Sequence, residues 1–174
     1  NLAKVFMDKG DYKNSFKYYK LFLEGNPNDD KILNELGVLL TKLNYFEKSL
    51  IYFKKALKIN PNSIKTRYEI ASVFMNTGRY REAKKIFYNI IEEQPNNFYA
   101  YSKLGEIFCN LKDLNKGLKY FHKSICISKN NQNLYSLLLF YSNYSTDMSA
   151  EEIFEYYKIF DQKFGLSHKD KWKL

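Results

Sequence analysis

One spacing limits what this chain can fold into. Pro27, Pro61 and Pro95 lie 34 residues apart; Phe53, Phe87 and Phe121 keep the same step, as do Leu36, Ile70, Leu104 and Leu138, and Phe46, Tyr80 and Leu114. A period of that size marks an array of supersecondary units that bury their apolar faces only by stacking on neighbours. Each proline closes an aromatic-rich helical pattern, and its ring and missing N–H stop a helix from continuing. Small residues recur on the first helix of each unit (Gly37, Ala71, Gly105) and on the second (Ser49, Ala83, Gly117). They let two helices approach closely, and Phe53, Phe87 and Phe121 fill the gap to the next pair. Each pair therefore needs a neighbour.

The strings "LNELGVLLTKLNYFEKSLIYFKKALKINP" and "RYEIASVFMNTGRYREAKKIFYNIIEEQP" resemble the tetratricopeptide repeat. The matching residues are Leu36-Gly37, Phe46, Ser49, Phe53, Ala56 and Pro61 in one unit, and Ile70-Ala71, Phe74, Gly78, Tyr80, Ala83, Phe87 and Pro95 in the next. The resemblance implies an all-α fold, an α-solenoid in which antiparallel helix pairs form a right-handed superhelix. The 34-residue frame gives a partial first repeat at 1–29, repeats at 30–63 and 64–97, and a degenerate one at 98–131. A fifth first-helix and a capping helix fill 132–165, and 166–174 reads as a tail or a linker to a further domain. In the degenerate repeat Gly117 stands for the usual Ala and Lys129 for the closing proline, so a looser connection is expected there. The first repeat lacks most of its first helix, which reads as a cut-down start. Tyr12, Phe16 and Tyr19 are then exposed apolar candidates for self-association through the truncated repeat.

With 174 residues, 45% hydrophobic and 18% aromatic, the chain has apolar material for one extended helical domain. No run of roughly 18 apolar residues is present to span a membrane, and Asn1 opens no signal-peptide pattern. The expected location is cytoplasmic. Cys109 and Cys126 read as reduced thiols in that compartment. His122 precedes Cys126 by four residues, but two ligands on one helix face do not make a zinc site; His168 sits in a polar tail. No metal or cofactor is expected.

The net charge of +9 raises nucleic acid as a partner. The charge lies in the repeats, which carry 23 basic against 13 acidic residues, while the chain from Gln132 onward is net −1. Many of the lysines (Lys54, Lys55, Lys58, Lys84, Lys85, Lys119, Lys123) fall on second helices, which reads as a solvated outer face. Only Arg67, Arg79 and Arg81 offer the guanidinium fork favoured in phosphate and groove recognition. Nucleic acid is the minor reading.

In a superhelix of this kind the partner-binding surface is the concave groove lined by first helices. The frame places Lys31, Asn34, Glu35, Val38, Lys42, Lys65, Tyr68, Glu69, Ser72, Asn76, Tyr99, Ser102, Lys103, Glu106 and Asn110 there. Polar, adaptable side chains of this kind hold a peptide backbone while leaving sequence preference loose. The carboxylate clamp of chaperone-tail receptors is not matched, because Glu35, Glu69 and Glu106 intrude. The asparagine ladder of O-linked N-acetylglucosamine transferases would fall at Glu35, Glu69 and Lys103, and is absent.

The segment "SAEEIFEYYKIFDQKFG" begins with Ser149 and Glu152 at capping-box spacing and ends at Gly165. Ile153, Tyr156, Tyr157, Phe160 and Phe164 recur at intervals of three and four, predicting an amphipathic capping helix with one buried stripe. From Leu134 to Gly165 the string resembles the junction in bacterial proteins of the O-linked N-acetylglucosamine transferase type, where repeats pass into a glycosyltransferase domain. The ending "KDKWKL" is similar to the lead-in to that domain's first strand. The resemblance implies that this chain is the acceptor-recognition arm of a protein glycosyltransferase and is itself not an enzyme. It has no Gly-rich phosphate loop and no Ser/Cys–His arrangement that spacing supports. The competing expectation is a stand-alone adaptor assembling a complex through the same groove, with protein or peptide as partner in either case.

Overall fold

The structure, a computed structural model, describes residues 2–145 and 148–165. The described residues form ten α-helices and one π-helical turn, with no strand: α1 (Leu2–Asp8), α2 (Tyr12–Gly25), α3 (Asp30–Lys42), α4 (Phe46–Ile59), α5 (Ile64–Asn76), α6 (Tyr80–Glu93), α7 (Phe98–Asn110), α8 (Leu114–Ile127), α9 (Gln132–Ser142), α10 (Ala150–Phe160) and the turn Asp161–Gly165. His168 and the "KDKWKL" ending lie outside the described residues. The chain divides into two compact units, Asn1–Ile86 and Phe87–Leu174.

Two recurring turns set the period. The turn from first to second helix has three residues, and its middle residue is left-handed each time: Gly10 (φ 78°), Asn44 (62°), Gly78 (73°) and Lys112 (67°). The third residue's N–H then donates to the carbonyl five back, Asp11 to Phe6 (2.8 Å), Tyr45 to Leu40 (2.8 Å), Arg79 to Phe74 (2.7 Å) and Asp113 to Phe108 (2.9 Å). This bond satisfies a carbonyl that the helix end leaves free. The turn from a second helix to the next first helix has four residues. It ends in a side chain that accepts a backbone N–H of the new helix, from Asp29, Ser63, Asn97 or Asn131. The connection at Lys129 keeps the four-residue length, though the Asn131 side chain accepts from Asn133, one residue nearer than in the other turns. Asn131 donates its N–H to the Ser128 carbonyl at 3.2 Å, as Ser63 does to Asn60 at 3.2 Å, so the asparagine cap and this bond hold the turn without the proline.

In the first unit, Ala3 and Met7 of α1 share a core with Tyr19, Leu36 and Leu39. A second core joins Leu50 and Phe53 to Ile70 and Val73. The expectation that Tyr19 is exposed is corrected by this packing. Leu2–Asp8 supplies a short first helix, Tyr19 is 0% exposed, and only Phe16, at 36%, stays open while Tyr12 is half-buried.

In the second unit, Leu118, Phe121 and Ile125 of α8 pack with Leu134, Tyr135 and Leu138 of α9. Ser149 and Glu152 form a complete capping box at the start of α10. Ile153, Tyr156, Phe160 and Phe164 are half-buried, the last three against this core. Tyr157 departs from the expected stripe: it is 45% exposed, and its hydroxyl accepts from the Asn143 amide at 2.9 Å. His122 meets the Tyr156 hydroxyl at 2.8 Å and ties α8 to α10.

Close approach within a pair depends on positions without a side chain. A Cβ on Gly37 would lie 2.5 Å from the Phe53 ring, and one on Gly105 2.8 Å from the Phe121 ring. Gly117, where the repeat pattern calls for Ala, has its own explanation: a Cβ there would collide with Cys109 Sγ and lie 2.9 Å from the Gly105 carbonyl oxygen. The thiol of Cys109, 4% exposed, takes the methyl's place. Burial, with the charges of Asp113 and Glu106, pushes this thiol up to about 11. Both cysteines are free, and Cys126 is exposed. We expect Gly117→Ala to destabilise the chain by about 1–3 kcal/mol, the usual cost of overpacking. Adding Cys109→Ala should recover part of that loss but not all, since the Gly105 carbonyl still crowds the new methyl. Urea denaturation of the four chains of this double-mutant cycle measures the coupling.

Candidate functional site

The first-helix faces are described unit by unit. In the first unit, Lys31, Lys42, Lys65 and Asn76 are exposed, while Glu35, Val38, Tyr68, Glu69 and Ser72 are half-buried. Val38 packs against the core of Leu50 and Phe53. Asn34 is only 3% exposed, and neither its amide nitrogen nor its oxygen has a hydrogen-bond partner among the described residues. A buried polar group left unpaired costs about 1–3 kcal/mol.

Glu35, Lys65 and Glu69 are brought together. The Lys65 ammonium of α5 lies 2.7 Å from the Glu35 carboxylate of α3. Glu69, four residues along α5 from Lys65, has its carboxyl pushed up from the ordinary range, first by burial and then by the Glu35 charge, with Lys65 opposing. Lys65 thus pairs with Glu35, and Glu69 lies within the electrostatic reach of both. The Tyr19 hydroxyl, also without a described partner, is pushed up to about 12 by burial, with the charges of Glu35 and Asp8 adding to the shift.

In the second unit, Ser102 is buried at 3%, Tyr99 is 38% exposed, Lys103 and Glu106 are half-buried, and Asn110 is exposed. Lys103 bridges to Glu106 at 2.7 Å and lies 5.3 Å over the Tyr99 ring. These three form a cluster on α7; Ser102 is removed from the surface. Sequence reasoning missed Phe140 of α9 and Tyr144 in the turn after it, which are 54% and 62% exposed and in edge contact at 5.3 Å. They fall one 34-residue step after Glu106 and Asn110, so carrying the register one unit further would have found them.

Paired helices with a fixed 34-residue step, and glycine seats for the Phe53 and Phe121 rings, define a helical-repeat protein of the α-solenoid class. Tetratricopeptide repeat profiles match residues 1–29, 30–63 and 64–97, more than half the chain. The chain belongs to the tetratricopeptide repeat family. No curated protein matches it. Among solved structures, MamA (41-end) from Desulfovibrio magneticus RS-1 superposes with a TM-score of 0.78 at 20% identity, covering 97% of this chain and 94% of that one. Pseudomonas aeruginosa pilF gives 0.77 at 16% identity, covering 93% and 73%. At such identities the likeness is one of fold. No helix of the described residues is long and apolar enough to cross a membrane.

The raised Glu69 has a stability consequence whose sign is fixed. A carboxyl with a folded pKa above its unfolded one binds its proton more tightly in the folded chain, so stability is lost as pH rises through that value. Glu69→Gln should therefore be more stable than the parent at pH 7, and its advantage should shrink as pH falls below the ordinary carboxylate range. Thermal unfolding of both chains between pH 3 and pH 7 reads this directly.

Proposed function

We propose that this chain is a scaffold that binds a protein or peptide partner on its first-helix faces, and that the face of α3 and α5 selects a segment carrying a basic side chain. What carries the reading is the Lys65–Glu35 pair within electrostatic reach of the raised carboxyl of Glu69, with an unpaired buried carboxamide at Asn34 on the same helix as Glu35. Natural proteins keep such locally unfavourable groups mainly where function needs them. A lysine or arginine placed between the two carboxylates would complete the charge balance, and charge-assisted bonds in a partly dehydrated setting are the strong ones. The residues Lys31, Lys42, Tyr68, Ser72 and Asn76 would make the surrounding contacts. In the second unit Tyr99, Lys103 and Glu106 supply an aromatic platform with one charge of each sign.

The larger role we propose is acceptor recognition for a protein glycosyltransferase in the cytoplasm, with no catalysis by this chain. It rests on the resemblance of Leu134–Gly165 to that junction. The likeness to MamA and pilF carries the fold alone and is equally compatible with a stand-alone adaptor. A residual affinity for nucleic acid would come from the lysines of the second helices and would fall steeply with salt.

Selection of random peptides displayed on phage against the 174-residue chain tests the binding mode. Binders should be enriched in Lys or Arg and should lose at least roughly ten-fold in affinity on Glu69→Gln, the scale of one charge-assisted contact. Enrichment of acidic peptides, or indifference to Glu69→Gln, would remove the charge-selective reading. Persistent binding of mixed-sequence RNA at moderate salt with no peptide selected would replace it with the nucleic-acid one.

A further inference from the structure

Apart from the cluster of Glu35, Lys65 and Glu69, each unit presents an exposed aromatic surface, and the two carry opposite charge. In the first unit a cleft of about 630 Å³ is lined by Tyr12 and Phe16 of α2, by Tyr45 and Tyr52 at and along α4, and by the apolar end of α3. Lys13 and Lys48 complete its lining. Among the described residues neither lysine forms an ion pair. The Lys48 ammonium lies 5.2 Å over the Tyr45 ring, and Lys13 acts on Asp11 only as a minor influence behind Asn14. Tyr45 is 53% exposed. A basic rim on an aromatic cleft suits an aromatic group beside a carboxylate.

The second unit carries that chemistry. Phe154 and Tyr157 on α10 are 58% and 45% exposed; Phe140 on α9 and Tyr144 in the turn after it are exposed too, and that turn is tied to α10 by the Asn143–Tyr157 hydrogen bond. Glu151, Glu152 and Glu155 stand on the same short helix, opposed by Lys158 alone, which pairs with Glu155 at 2.6 Å and lies 4.9 Å over the Phe154 ring. Four large exposed aromatics within α9, α10 and the turn between them are more than scattered surface residues require.

We propose that the acidic aromatic face of α9 and α10 docks into the basic aromatic cleft between α2 and α4 of a second copy of this chain. The occupant follows from charge: each face would repel its own kind and attract the other, and both belong to one sequence. Because the two faces differ, the contact is head to tail, and it extends into longer assemblies unless the rotation closes a ring. It does not use Glu35, Lys65 or Glu69, so that charged cluster stays open for a partner.

Sedimentation velocity of the 174-residue chain across the micromolar range tests this. The mass should rise from 20.8 kDa through two chains and beyond as concentration increases. K13E/K48E and Y144A/F154A, each checked for unchanged helicity by circular dichroism, should associate at least roughly ten-fold more weakly than the parent. An equimolar mixture of these two variants retains one intact cleft and one intact aromatic face, so it should form a pair of chains and stop there. A parent chain that stays at one chain mass overturns the proposal. So does association that both variants retain, or a mixture no more associated than either variant alone.

Discussion

The structure depends on the contact between a phenylalanine ring and a helix position that has no side chain. Phe53 lies against Gly37 and Phe121 against Gly105 so closely that a methyl group at either glycine would fall inside the ring's own space. That contact sets the distance between the two helices of a pair. The same phenylalanine also reaches the next pair: Phe53 shares a core with Ile70 and Val73, and Phe121 with Leu134 and Leu138. One residue type thus fixes both the geometry within a repeat and its attachment to a neighbour, which explains why the array is legible from a few spaced residues.

The same constraint explains the departures from the repeat. Where Cys109 occupies the space between α7 and α8, residue 117 must be glycine, so an apparent loss of the pattern is a compensated exchange of volume. Where proline gives way to Lys129, the asparagine cap and one backbone hydrogen bond keep the four-residue turn. Lys112 adopts a left-handed backbone that glycine or asparagine takes in the other first turns, because the pairing of helices on either side dictates it. Local preference yields to packing at each of these points.

Much of the fold was legible in the sequence because proline, glycine and phenylalanine sit where sterics leave little choice. The capping box of Ser149 and Glu152 was legible for the same reason. The site was less so. Exposure along a first helix depends on how the neighbouring pair leans on it, and this buries Asn34 and Ser102 while leaving Lys31 and Asn76 open. The pairing of Glu35 with Lys65 spans 30 residues and is not a property of either helix alone. Tyr19 was misread because the seven residues of α1 are too short to give a convincing period, yet Ala3 and Met7 suffice to cover it.

We propose that α3 and α5 meet the partner through Glu35, Lys65 and Glu69, and that the exposed lysines of α4 do not. Amide chemical-shift mapping of the ¹⁵N-labelled chain, titrated with a lysine-bearing peptide selected against it, tests this most directly. The account predicts shifts centred on Glu35, Lys65 and Glu69 of α3 and α5. Shifts confined to the second helices α2, α4 and α8, with α3 and α5 unmoved, would contradict it.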